Sequence, residues 1–292
     1  MLHIDEYAVY LKENKHSADS TVQSYLRDVK KFGEYLKKVN IPEQKVEKQT
    51  LLTYLIYMQK NGQATSSILR MVASLRSFYG FLLNDGFRKD DPTEGIEAPK
   101  LPKRDLQVLT SKETELLLMQ PKCVNFKGYR DKAMLELLYA TGIKVSELID
   151  LTLEKVFLEE GYIICGAKKS RIVPMGTIAA KAVQNSIKNA RFQISADDNQ
   201  KGLLFVNVNG GKLSRQGFWK IVKYYKDKAK ITKDITPNTL RHSFAVHLME
   251  NGADVVSVQE MLGHSAVTST KVYANIVSKR INDIYKRAHP RA

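Results

Sequence analysis

The stretch TPNTLRHSFAVHLMENGADVVSVQEMLGHSAVTSTKVYANI, residues 236–276, decides how the chain is read. Thr236 followed by Pro237 predicts a helix opened by an N-cap and a proline at its first position. Asp254 predicts a second cap, for VVSVQEMLG. The first helix has an apolar face of Leu240, Phe244, Val246 or His247, and Leu248, and near its start stand Arg241 and His242. Free N–H groups and a partial positive charge at a helix N-terminus make such an arginine a ready phosphate site. The plainer alternative is a capping arginine on a solvated face. His264 follows Gly263 just past a helix end, and Tyr273 comes nine residues later. A phenol with pKa near 10 is a poor nucleophile unless its surroundings help it. Most of the 14 tyrosines here are expected to put a ring on the core and a hydroxyl in water.

Working outward, 292 residues give room for two domains with their own cores. With 43% hydrophobic and 26% charged residues the chain reads as globular. It has no run of 18 apolar residues, and MLHIDEYAVYLKENK carries acids and lacks a signal peptide's apolar stretch, so a cytosolic location with no membrane partner is expected. Lys and Arg outnumber Asp and Glu by 46 to 31, a net charge of +15. That excess favours a polyanionic partner, nucleic acid before membrane, because no basic amphipathic anchor or lipidation signal accompanies it. Cys123 and Cys165 lie in no CxxC pair and have no histidine at zinc-finger spacing, so structural thiols, no metal and no cofactor are expected.

The organisation is mainly α with a small β-sheet, in two domains. Helices are predicted in IDEYAVYLKEN, in SADSTVQSYLRDVKKFGEYLKKV with the face Val22, Tyr25, Leu26, Val29, Phe32 and Leu36, in LLTYLIYMQKNG and in ATSSILRMVASLRSFYGFLLNDG. This gives a four-helix domain over 1–88. The segment with Pro92, Pro99 and Pro102 fits no regular element and is read as a linker over 89–107. A second domain over 108–292 opens at Thr110 and Glu113, a capping-box pair. Helical RDKAMLELLYATG and VSELIDL follow. Then GYIIC and RIVPM read as strands around the turn GAKKS, and LLFVNVNGGKL as strand then turn.

Three basic features now stand together: Arg241 near a helix start, His264 past a helix end, and the hairpin tip with Lys168, Lys169 and Arg171. Each alone has a bland reading as solvated charge. Combined with Tyr273 they suit attack on a phosphodiester without metal. Basic groups neutralise charge building on the phosphoryl oxygens, the tyrosine supplies the attacking oxygen, and a lysine or histidine protonates the leaving alkoxide. No acidic cluster is spaced as a two-metal site.

In these motifs the chain resembles the tyrosine recombinases of the phage integrase family, and within it the bacterial Xer recombinases. The resemblance covers nearly the whole chain: TGIKVSELIDL, GAKKSRIVPMG, the long block over 236–276, and STVQSYLRDVKKFGEYL, which looks like the family's SAM-like core-DNA-binding domain. The ending HPRA looks most like the XerD branch. The resemblance implies that Tyr273 is the nucleophile, forming a 3′-phosphotyrosyl bond and releasing a 5′-hydroxyl. It implies that Arg241 clamps the scissile phosphate, that His264 hydrogen-bonds it, and that Lys168 or Lys169 is the general acid. The hairpin is about two residues shorter than the usual GKGxKxR form, so the alignment leaves both lysines open, with Lys168 favoured. Lys169 and Arg171 are candidate DNA contacts.

Two site positions depart from the pattern. Lys144 stands where the family usually has Arg in TGxRxSEL, and Asn238 where it has His in TPHxLRH. Lysine keeps the charge but loses the planar two-pronged contact. Asparagine donates a hydrogen bond but carries no proton at neutral pH. Each loss at a transition state costs about 2–4 kcal/mol, on the order of 10²–10³ in rate. The expected function is therefore site-specific recombination on double-stranded DNA with inverted half-sites, attenuated by Lys144 and Asn238. It would proceed in a homo- or hetero-tetramer, with or without a second Xer-type recombinase, for chromosome dimer resolution or movement of an element. The alternative is a DNA-binding member of the same fold with little cleavage. A type IB topoisomerase is a more distant reading.

Overall fold

The chain separates into two compact units, Met1–Arg104 and Asp105–Ala292. The structure is a computed structural model and describes residues 3–100, 106–166, 170–191, 202–264 and 266–288, with side chains described up to 278. The hairpin lysines Lys168 and Lys169 lie outside the described residues.

The first unit is built from α1 (Ile4–Glu13), α2 (Asp19–Lys38), α3 (Lys48–Lys60) and α4 (Thr65–Asn84). In α2 the apolar residues recur at helical spacing, and Val22, Val29, Phe32 and Leu36 are buried, whereas Tyr25 and Leu26 are only partly covered. Facing them are Met71, Val72, Leu75 and Phe78 of α4. One charge enters this core. The Asp28 carboxylate is almost fully buried and accepts from Arg70 Nε at 2.8 Å and Nη2 at 3.0 Å, and from Ser74 Oγ at 3.0 Å. A buried carboxylate is tolerable because its lone pairs are so well occupied. Part of the proline-containing segment belongs to this unit: Ile96 is buried in its core and its carbonyl accepts from Arg76.

The second unit opens with α5 (Ser111–Leu118), α6 (Phe126–Thr141) and α7 (Val145–Ile149), continues through β1 (Val156–Phe157), β2 (Tyr162–Cys165) and β3 (Arg171–Pro174), and closes with α8 (Gly176–Asn189), α9 (Arg215–Lys228), α10 (Pro237–Glu250), α11 (Val255–Leu262) and α12 (Thr268–Ala288). The capping box at α5 is present: Glu113 N–H donates to Thr110 Oγ1 at 3.2 Å, and Thr110 N–H to Glu113 Oε2 at 2.7 Å. The strands form an antiparallel sheet in the order β1-β2-β3, with Ile163 opposite both Val156 and Val173. The strand expected in LLFVNVNGGKL is reduced to isolated bridges, Thr152 with Leu203 and Val206 with Lys212. The expected turn is present between the bridged residues Val206 and Lys212, closed by Asn207, whose Oδ1 accepts from the N–H groups of Asn209 and Gly211.

α6 is the central helix. Ala133, Met134, Leu135, Leu137 and Leu138 are all fully buried, as expected of a helix covered on several sides. It ends at Gly142 with φ 59. A Cβ there would lie 2.2 Å from the Phe244 ring, so both backbone conformation and close approach require glycine. α10 packs against α6 and is fixed from behind by the incoming chain. Leu109 N–H donates to Ser243 Oγ at 2.9 Å, and His247 Nε2 lies 2.9 Å from the Leu109 carbonyl. The other imidazole nitrogen of His247 meets Tyr139 Oη at 2.9 Å. His247 is thus a saturated core histidine.

Candidate active site

Three elements converge at the C-terminal end of α6. α10 supplies Arg241 and His242, the end of α11 supplies His264, and α12 supplies Tyr273. Arg241 is 6% exposed, which removes the solvated-face reading. It lies one turn into a helix whose Leu240 and Phe244 are buried, and it spans to two carbonyls, Gly142 O at 2.5 Å and Leu262 O at 2.8 Å. Both partners are neutral, so the positive charge remains uncompensated by direct contact. Burial pulls the Arg241 pKa down from its ordinary value, yet an arginine starts so high that it stays protonated at pH 7.

Tyr273 is 3% exposed. Burial raises its pKa, and the charge of Arg241 opposes that rise. Its hydroxyl lies 2.9 Å from His242 Nδ1, and its ring stacks near His264, with centroids 6.3 Å apart and planes at 23°. The pKa of His242 is lowered by burial and then by Arg241. For His264 the shift is larger: burial, with Arg241 and Lys144 adding to it, lowers the pKa to about 4. Both imidazoles are therefore neutral at pH 7. The Thr270 hydroxyl sits 2.9 Å from His264 Nδ1. With that hydroxyl donating, Nε2 of His264 carries the proton and is the nitrogen available as a donor.

Arg171, expected as a DNA contact, is instead committed inside the protein. Its Nη1 and Nη2 donate to the two Glu147 carboxylate oxygens at 2.7 and 2.8 Å, and its Nε donates to the Met261 carbonyl at 2.8 Å. Burial resists ionisation of Glu147, but the Arg171 bonds and the Lys144 backbone N–H outweigh it and hold the carboxyl below its usual range. The adjacent carbonyls of Met261 and Leu262 thus hold Arg171 and Arg241. Gly263, next in the chain, has φ 64, and a Cβ on it would come within 2.8 Å of the Arg171 guanidinium. The glycine before His264 is there to let α11 end against that arginine.

Lys144 and Asn238 occupy a different setting. Both are exposed. Lys144 is the N-cap residue of α7, its N–H donating to Glu147 Oε2 at 2.8 Å; Asn238 is the second residue of α10. Together with Arg215, Gln216 and Trp219 of α9 they line an open groove of about 500 Å³. Lys144 is close enough to depress His264. The structure therefore brings Tyr273, Arg241 and His264 into one cluster, with Lys144 at its edge and Asn238 beside Lys144. It adds His242, Glu147 and Thr270, which the sequence reading left out of the site. Thr270 was discoverable, being three residues before Tyr273 on one helix. The contact of His242 with Tyr273 bridges 31 residues and has no local signal.

Comparison with known proteins agrees with this architecture. The model of the phage integrase family matches residues 107–280, and that of the phage integrase N-terminal SAM-like domain matches residues 4–86. A relative named tyrosine recombinase XerD from Halalkalibacterium halodurans is 42% identical over 99% of this chain and 98% of its own length. One of the same name from Staphylococcus epidermidis is 41% identical over 99% of each. Among solved structures, XerH recombinase bound to a palindromic difH substrate in a post-cleavage complex aligns with a TM-score of 0.75 at 19% identity, over 96% of this chain and 83% of that one. The Tn1549 transposon integrase in complex with circular intermediate DNA gives the same score and identity, over 92% and 94%.

Proposed function

The chain belongs to the phage integrase family and is a tyrosine recombinase, an enzyme that cuts and rejoins DNA strands at specific sites; from that premise we propose that Tyr273 is its nucleophile. The observation that carries this reading is the convergence of the Tyr273 hydroxyl, the uncompensated charge of Arg241 and the neutral His264 in one buried cluster. Attack of Tyr273 on a phosphodiester forms a 3′-phosphotyrosyl bond and expels the 5′-oxygen. Arg241 and the Nε2–H of His264 stabilise the charge on the non-bridging oxygens. Lys168 or Lys169 protonates the leaving oxygen. The phosphotyrosyl bond retains the energy of the broken linkage, so rejoining requires neither ATP nor metal.

The partner is double-stranded DNA, for which the net charge of +15 and the DNA complexes of the XerH and Tn1549 recombinases give support. Two protomers bind inverted half-sites, and four form the recombining assembly, alone or with a second Xer-type recombinase. Lys144 and Asn238 attenuate the chemistry, because neither supplies the contact its family counterpart does. That same departure favours one competing reading, a DNA-binding protein with little cleavage.

A nicked suicide duplex carrying a Xer-type recombination site separates the two. Incubated with the protein, it is expected to yield a denaturant-resistant protein–DNA adduct that is absent with Tyr273→Phe and more abundant with Lys144→Arg. Binding without an adduct, except in a Lys144→Arg, Asn238→His double variant, would establish the DNA-binding reading.

A further inference from the structure

We propose that His242 is the catalytic base that takes the phenolic proton of Tyr273 as the tyrosine attacks DNA. This rests on Tyr273 being the nucleophile and goes beyond that reading by giving its proton a destination.

Among the described residues, the Tyr273 hydroxyl meets one side chain at hydrogen-bond distance, His242. A tyrosine that forms an ester must lose its proton, and a buried phenol does not lose it unaided at pH 7. Arg241 and Lys144 are cations and cannot accept it. Asn238 holds no proton and lies in the exposed groove. Glu147 has both carboxylate oxygens on Arg171. His264 has its Nδ1 against Thr270, which leaves Nε2 as a donor. The imidazole in contact is that of His242, with Nδ1 2.9 Å from the Tyr273 oxygen, within the reach a general base needs. With the phenol as donor, His242 is the Nε2–H tautomer and its Nδ1 lone pair points at the transferable proton.

Protonation state agrees with geometry. Burial and the neighbouring Arg241 keep His242 neutral. The step balances. The Tyr273 oxygen forms its bond to phosphorus, the phosphorus–O5′ bond breaks, the phenolic proton moves to His242 Nδ1, and the 5′-oxygen takes a proton from the hairpin lysine. On rejoining, the 5′-hydroxyl returns a proton to that lysine, and the departing phenolate recovers its own from His242. No proton is gained or lost over the cycle.

The test is single-turnover adduct formation by the full chain on the nicked Xer-type duplex, from pH 5 to 9. The wild type is expected to lose rate as pH falls below the ordinary histidine range, because a protonated His242 cannot accept. His242→Asn keeps an acceptor near the place of Nδ1 but holds no proton; His242→Gln gives the same readout from a larger amide. Both are expected to bind the duplex as wild type does, to form adduct about 10²-fold more slowly, and to lose the histidine limb, their rates rising instead with tyrosine ionisation. A duplex with a bridging 5′-phosphorothiolate, whose thiolate leaves without a proton, should restore variants of the hairpin lysines and not those of His242. Wild-type rates and an intact acid limb in either amide variant would overturn the proposal while leaving Tyr273 as nucleophile. An adduct persisting in Tyr273→Phe, or none from the wild type, would overturn both.

Discussion

The site has two halves that differ in how the fold holds them. The inner half, Arg241, His242, His264 and Tyr273, is tied into the packing. Arg241 bridges the ends of α6 and α11, and the Tyr273 ring is covered. The outer half, Lys144 and Asn238, sits on the rim of an open groove at two helix N-termini. The two residues at which the resemblance expects a different side chain, Lys144 and Asn238, make up the outer half. On the proposed function a side chain at the rim is replaced at the expense of chemistry only, whereas replacing Arg241 leaves two buried carbonyls without donors. On the proposed function the inner half serves stability and catalysis together, and the outer half serves catalysis.

The sharpest way to break this contrast is Tyr273→Phe, which should reduce adduct formation to background while the DNA affinity and its salt dependence stay unchanged. Next comes Arg241→Ala, expected to lower single-turnover cleavage by 10³-fold or more. It should also destabilise the fold by about 2–4 kcal/mol, because two buried acceptors lose their partner; thermal unfolding of the isolated variant measures this. Lys144→Ala in the same assay should leave Tm within a degree. A variant at 144 that lowers Tm as Arg241→Ala does would erase the distinction.

Restoration should work only on the outer half. Lys144→Arg is expected to raise single-turnover cleavage by about 10–10²-fold, and Asn238→His by less, with no change in stability. A smaller effect concerns the clasp between the halves. Glu147 has a folded pKa below its unfolded one, so its contribution to stability is complete above the ordinary glutamate range and is lost as pH falls through the lowered folded value. Chemical denaturation midpoints from pH 7 to pH 3 should show an acid-side loss that is reduced in Glu147→Gln.

Much of this was legible before any coordinates. The α2 face follows from spacing, the α5 cap from Thr110 and Glu113, and the paired strands β2 and β3 from GYIIC and RIVPM; the motif block is the source of the nucleophile proposed at Tyr273. Three features were not. The burial of Arg241 depends on Gly142 and Leu262 arriving from other helices. The internal commitment of Arg171 depends on α7 and α11 meeting β3. In residues 202–213 the expected strand is reduced to isolated bridges. The first two depend on contacts made only after folding, and residue type alone carries no trace of them.

The adjacent carbonyls of Met261 and Leu262 have one more consequence. Arg171 begins the strand that leaves the hairpin carrying the candidate general acid, and Arg241 is the candidate phosphate clamp. One carbonyl holds the first and its neighbour holds the second, so the two arginines share an anchor at the end of α11. Each arginine has a second anchor elsewhere, Arg171 on Glu147 and Arg241 on the Gly142 carbonyl, so the end of α11 is the one place where a local change reaches both.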